Sequence, residues 1–287
     1  MIKTILVPAT GSDSDLPVFG SALSIARLFG AHIDALHAHL DPVEVAVRLT
    51  SDTAGTPLVG GLIEGLEEDF RAREEKAKRL FENFCSGEGI ALLDASTTAS
   101  KNLTAEWHVQ TGDEARLISV FGMTADLIVA GRGAEDNAGA RSVLEAALLD
   151  TGRPLLISTS SPAPPVQGGT IAIAWKPTPQ AAHAVMAAMP LLGVANRIIV
   201  VSVAEGADRS GGEALARNLR RHGLRVEVEQ IGADDQDPAD ALLAWTEGKA
   251  GLLVMGGYGH SRFREWVFGG FTRRVLTDAP LPVLMMH

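Results

Sequence analysis

The chain has one cysteine, Cys85, in 287 residues. A single thiol closes no intrachain disulfide, which excludes a cross-linked secreted framework and leaves a reducing compartment as the expected setting. Aromatic residues make up only 5% of the chain, and the tryptophans at 107, 175, 245 and 266 are scattered singly. They form no stacking array for single-stranded nucleic acid. Positive charge is also short, with 25 Lys and Arg against 35 Asp and Glu and a net charge of −10. Broad nucleic-acid and anionic-membrane surfaces need basic patches, so neither partner is expected. No apolar run approaches the roughly 18 residues of a membrane span. The chain enters a strand pattern directly at Met1-Ile2-Lys3-Thr4-Ile5-Leu6-Val7-Pro8. With no charged leader ahead of it, no signal peptide is expected and the location expected is cytoplasmic.

What the sequence does contain is a design written twice. Thr4-Ile5-Leu6-Val7-Pro8-Ala9-Thr10 is echoed by Thr170-Ile171-Ala172-Ile173-Ala174-Trp175-Lys176. Asp126–Gly131 is echoed by Gly251–Gly256, and Arg153–Ile157 by Leu281–Met285. Three landmarks in the same order indicate a tandem duplication, and the chain is long enough for two cores. The first domain is assigned to 1–158 and the second to 170–287, joined by a Ser/Pro/Gly-rich linker at 159–169.

Within each half, short Val/Ile/Leu runs alternate with stretches of helical period. Strands are expected near Lys3–Pro8, His32–His39, Ala105–Gln110, Leu127–Ala130 and Pro154–Ser158. The first-half helices are expected at Pro17–Phe29, about Leu62–Ser86, Asp113–Thr124 and Ser142–Thr151. The second-half strands fall near Thr170–Trp175, Arg197–Val203, Arg225–Gln230, Leu252–Met255 and Pro282–Met286. This alternation predicts an α/β fold of two tandem doubly wound, Rossmann-like domains, each with a five-stranded parallel sheet. The first half carries an extra segment between its second and third strands, 41–100, in which Asp52–Gly65 reads as a loop.

The densest glycine pattern follows the apolar run Leu252–Met255: Gly256-Gly257-Tyr258-Gly259, then Gly269-Gly270 ahead of a helix. Glycine lets backbone N–H groups line a hollow, and a helix N-terminus favours anions, so the phosphates of a nucleotide are the economical ligand. No Gly-Lys-Ser/Thr follows, so this is no Walker loop. The gap from Gly259 to Gly269 is too long for the dinucleotide fingerprint.

Gly256-x2-Gly259-x9-Gly269, followed by a helix and Ala279-Pro280-Leu281-Pro282-Val283-Leu284, resembles the signature of universal stress proteins. The resemblance covers nearly the whole chain and is strongest over 251–287. It implies ATP held by main-chain amides in the C-terminal domain, with Mg2+ accompanying the triphosphate. It also implies two domains paired as an internal pseudo-dimer through their last strands, with a homodimer as a further possible assembly. Carried over, the binding positions are Gly256, Gly259, Gly269 and Gly270, with Lys176 after the first strand and Val203 lining the adenine side. Two departures stand out: Gly270 replaces the family's Ser or Thr, with Thr272 two residues on, and Lys176 replaces its Asp. In the first half Thr10 replaces that Asp, Ala134 replaces the second motif glycine, and Glu135 and Asp136 sit where an anion would arrive. The first half therefore reads as a degenerate nucleotide site serving as a structural partner.

Other chemistry is not assigned. His37 and His39 share one strand face as a metal pair would, but nothing in the sequence completes a ligand set, and no metal ligands are named. His260-Ser261 lacks an orienting partner and an oxyanion hole, so no catalytic residues are named. Arg273 and Arg274, with Arg262 and Arg264, either draw phosphates or form the solvent face of the last helix. The function expected is a stress-response binding module for nucleotide and regulatory protein partners, with at most slow ATP hydrolysis. The alternative is an interaction scaffold of the same family that binds no nucleotide.

Overall fold

Eleven strands join into one sheet, in the order β3-β4-β2-β1-β5-β6-β11-β10-β7-β8-β9. The structure is a computed structural model and describes residues 1–50, 59–93, 103–132, 138–159, 168–204, 212–233, 236–257 and 270–287. The first half runs β1 (Thr4–Pro8), α1 (Asp15–Phe29), β2 (His32–His39), α2 (Pro42–Thr50), α3 (Val59–Glu88), β3 (Ala91–Leu92), β4 (Thr104–Thr111), α4 (Glu114–Gly122), β5 (Leu127–Gly131), α5 (Ala138–Leu149) and β6 (Leu155–Ser158). The second runs β7 (Thr170–Ala174), α6 (Pro179–Leu192), β8 (Arg197–Ala204), α7 (Glu213–Arg221), β9 (Val226–Gly232), α8 (Pro238–Thr246), β10 (Leu252–Gly256), α9 (Gly270–Asp278) and β11 (Val283–Met286).

The chemistry of each element is visible at its ends. Thr178 caps α6, its hydroxyl accepting from the Ala181 N–H at 3.2 Å, with Pro179 in the first turn. Asp113 caps α4 and Asp237 caps α8, so the helices that follow β4 and β9 start with the same device in the two copies. Helix α1 stops at Gly30, whose φ of 57° lets its N–H return to the Ala26 carbonyl. The central strands are buried along most of their length, Ile5, Ile128, Ile171 and Val254 among them, as a sheet covered on both faces requires.

Within each half every strand pair is parallel; at the centre the direction reverses. There β6 and β11 pair antiparallel, with Val283 opposite Ile157, Leu284 opposite Leu156 and Met285 opposite Leu155. The expected pseudo-dimer is thus a continuous sheet, and both faces carry a core contributed by both halves. Arg132, just past β5, locks the seam from outside: its guanidinium donates to the carbonyl oxygens of Ala279 and Leu281.

Three expectations need correction. The segment Asp52–Gly65 is not all loop, because α3 begins at Val59; residues 51–58 lie outside the described residues. Glycines at 60, 61 and 65 hide only the first turns of the helix expected at about Leu62–Ser86, while Ala77, Phe81 and Cys85, buried four apart on one face, dock its second half on the core. Helix α2 was not anticipated, and the two-residue β3 gives the first half a sixth strand.

Candidate functional site

The reversal of strand order in the second half falls between β7 and β10, which pair directly with Ala174 opposite Met255. At the carboxyl end of β10 a Cβ added at Gly256 would sit 2.5 Å from the Ala181 nitrogen and 2.6 Å from the Gln180 carbonyl carbon. The first motif glycine is therefore there because the N-terminus of α6 presses on the strand end. Gly257 donates to the Met286 carbonyl at 2.8 Å, and a Cβ there would meet Leu148 Cδ2 of the first half at 2.9 Å. Gly270 opens α9, and among the described residues no atom outside its chain neighbours and its own helix backbone lies within 4 Å of where a Cβ would sit. Gly259 and Gly269 lie outside the described residues, as do His260, Ser261, Arg262 and Arg264.

The other sequence-named positions are distributed as follows. Lys176 is exposed, two residues beyond β7. Val203, near the end of β8, is half-buried against the core. Thr272, in the first turn of α9, is buried. Arg274 pairs with Asp240 and Asp278, both at 2.6 Å, and Arg273 is exposed, so both belong to the solvent face of the last helix. His37 and His39 form no metal pair with each other: His37 is buried with Nδ1 2.6 Å from the Ala9 carbonyl, and His39 meets Glu74 at 2.9 Å.

The corresponding edge of the first half contains a cavity of about 820 Å3, which sequence reasoning missed. Thr10, Asp15, Arg73, Glu114, Gly131 and Ser142 are among the residues that line it. Asp15 is 3% exposed and organises the loop after β1. It accepts from the Thr10 and Gly11 N–H groups and the Thr10 hydroxyl, each at 2.8 Å. From α3, Arg73 donates to the Thr10 carbonyl at 2.9 Å. Burial raises the carboxyls of Asp15 and Glu114 above their ordinary values, and for Glu114 the negative charges of Asp15 and Asp113 add to it while Arg73 opposes. The lining of the hollow thus sets three acids, Asp15, Asp113 and Glu114, against two cations of α3, Arg73 and Lys76. These residues come from separate stretches of sequence, so no local motif announces them.

The sign of the Glu114 effect is testable. A carboxyl raised by burial resists ionisation more in the fold than in the unfolded chain, so stability falls as pH climbs above its ordinary value. Glu114→Gln is expected to melt higher than the natural protein at pH 7 and to lose that advantage near pH 4, read by thermal unfolding across pH.

With this geometry in hand, comparison with known proteins places the chain. Residues 170–287 match the model of the universal stress protein family. A universal stress protein from Archaeoglobus fulgidus DSM 4304 superposes with a TM-score of 0.69 at 18% identity, over 99% of this chain and 97% of that one. A provisionally named universal stress protein from Pseudomonas aeruginosa UCBPP-PA14 gives 0.55 at 15% identity, covering 99% and 93%. A functionally unknown protein from Pseudomonas aeruginosa PAO1 gives 0.54 at 14%, covering 99% and 92%. No curated protein matches the chain. Residues 170–287 thus match the universal stress protein family, and the two halves together share the fold of a whole-length universal stress protein structure. No helix among the described residues is long and apolar enough to cross a membrane.

Proposed function

We propose that this protein binds ATP or a related nucleotide at the carboxyl edge of its C-terminal half, as a stress-response or signalling module of the cytoplasm rather than a catalyst. The observation that carries this reading is the position of Gly256. It begins the G-x2-G-x9-G spacing at the strand-order reversal, on a strand end that tolerates no Cβ against the first turn of α6. The spacing ends beside Gly270, the first residue of α9, whose would-be Cβ meets no atom among the described residues. Two helix N-termini and a glycine-rich turn at one sheet edge suit a chain of phosphates. Gln180, in the same first turn of α6, has a buried side-chain oxygen with no partner among the described residues. Gly256, Gly259, Gly269 and Gly270 would offer main-chain donors, Lys176 a point charge and Thr272 a hydroxyl, while Val203 would face the base. Mg2+ would arrive with the triphosphate. The domain limits, 1–158 with a degenerate site and 170–287 with the motif, follow the same reading.

One alternative has its own support. Packing accounts for both Gly256 and Gly257 without any ligand, since one meets α6 and the other Leu148. A scaffold that engages regulatory protein partners and no nucleotide would need nothing more.

Thermal unfolding with and without Mg·ATP separates the two readings. At 100 times its dissociation constant a ligand stabilises by roughly 2.7 kcal/mol, which raises the midpoint by several degrees. Gly259→Val is expected to remove that shift, because a β-branched residue crowds the turn and resists positive φ. An unmoved midpoint at millimolar ATP, with no nucleotide released from the heated protein, favours the scaffold.

A further inference from the structure

On the outer strands of the first half, side chains of β2 and β4 that share one sheet face bring two imidazoles and two carboxylates together. The register sets Asp34 beside Glu106 and His32 beside Thr104, with His108 one step along. His32 Nε2 lies 3.2 Å from Asp34 Oδ1 and 4.0 Å from Glu106 Oε2. Ligand atoms of His32, Asp34 and Glu106 all fall within 4.8 Å of one another. Two neighbours steady them. His32 Nδ1 is 2.8 Å from the Thr104 hydroxyl, a contact that holds the ring in place when Nε2 exchanges its hydrogen bond to Asp34 for a metal. His108 Nε2 is 2.9 Å from Asp34 Oδ1. The side chains are about a quarter exposed (23–28%), so a solvated ion can reach them.

The second half supplies a control for what this position needs structurally. Thr4 pairs with His32, and Thr170 with Arg197, so His32 corresponds to Arg197 and Asp34 to Ile199. Glu106 corresponds to Glu227, beside Ile199. There the carboxylate is matched by a permanent cation, with Arg197 Nε 2.9 Å from Glu227 Oε1. In the first half the guanidinium has become an imidazole and the isoleucine a second carboxylate. That exchange removes an ordinary ion pair and installs three convergent donors.

We propose that His32, Asp34 and Glu106 bind a divalent first-row transition ion, with zinc the best fit, and that Thr104 and His108 orient the ligands. Zn–N and Zn–O bonds near 2.0–2.2 Å in tetrahedral geometry set ligand atoms roughly 3.3 Å apart, close to the His32–Asp34 separation of 3.2 Å. Mixed imidazole and carboxylate donors favour zinc over the oxygen-seeking Mg2+ and Ca2+. Three protein ligands leave a fourth position to water.

The test is titration of the EDTA-dialysed full chain with Zn2+ against a chromogenic chelator. One equivalent is expected to bind, unaffected by millimolar Mg2+. His32→Gln and Asp34→Asn should each abolish that equivalent, and His108→Ala should weaken it by about tenfold, the scale of a lost orienting contact. His39→Ala, which disturbs only the Glu74 and Phe70 contacts on the other face of β2, should bind as the natural protein does. Circular dichroism confirms that each variant is folded, and Glu106→Gln replaces any that is not. Absence of saturable binding, or binding that survives both His32→Gln and Asp34→Asn, would overturn the assignment.

Discussion

Gly256→Val is expected to lower the unfolding midpoint by many degrees, and Gly256→Ala to lower it as well. Even one carbon at this position would stand 2.5 Å from the Ala181 nitrogen and 2.9 Å from its Cα, and both are main-chain atoms that cannot swing aside. Relief requires shifting α6 as a body. That helix is seated through Ala181, Ala184, Val185 and Ala188, small side chains already buried and without slack. Overfilling a packed contact costs about 1–3 kcal/mol when side chains can adjust, and more when backbone must move. Thermal unfolding of Gly256→Ala and Gly256→Val decides it. Midpoints equal to the natural protein's would mean that the strand end and α6 do not press together, and the packing account of the first motif glycine would fail.

Leu284→Asp is expected to yield no folded protein, with both halves lost together. Leu284 is 1% exposed in β11 and sits opposite Leu156 across the antiparallel seam, among residues of both copies. An uncompensated carboxylate there must either stay charged in an apolar core or take up a proton, and each route costs several kcal/mol. Leu284→Ala gives the graded version, about 2–5 kcal/mol from lost contacts and the cavity left behind. Met186→Asp, on a residue 71% exposed, should be silent. The decisive readout is the number of unfolding transitions in Leu284→Ala. If the continuous sheet couples the halves, one transition moves; if a single half melts early while the other keeps its midpoint, the seam does not carry the coupling.

The fold was largely legible because its signals are local. Unbroken apolar runs such as Leu252–Met255 and Ile198–Val201 announce buried parallel strands, and Thr178-Pro179 and Asp237-Pro238 announce helix starts. The seam between last strands came from resemblance and from the danger of leaving two apolar edges bare. What stayed hidden was non-local. Asp15 reads in sequence as one more loop acid after Thr10, and only the fold shows it tying down the β1 loop beneath Arg73. His32 and Glu106 are far apart in the chain and meet only because β4, after a long excursion, returns beside β2. The histidine pair that sequence did pick out, His37 and His39, is drawn to Ala9 and Glu74 instead. Only the start of α3, ahead of the helix expected from about Leu62, hid behind its glycines, since docking on the core outweighs weak propensity there.

The reversal of strand direction at the midline has a spatial corollary. It turns the two carboxyl edges to opposite ends of the molecule, so the hollow of the N-terminal copy and the Gly256 end of β10 in the C-terminal copy face in opposing directions. The N-terminal copy then supplies masonry for its sibling: Leu148, near the end of α5, backs Gly257, and Arg132 grips the chain entering β11. Removing the first half would therefore strip the second of part of its packing, whatever either edge binds.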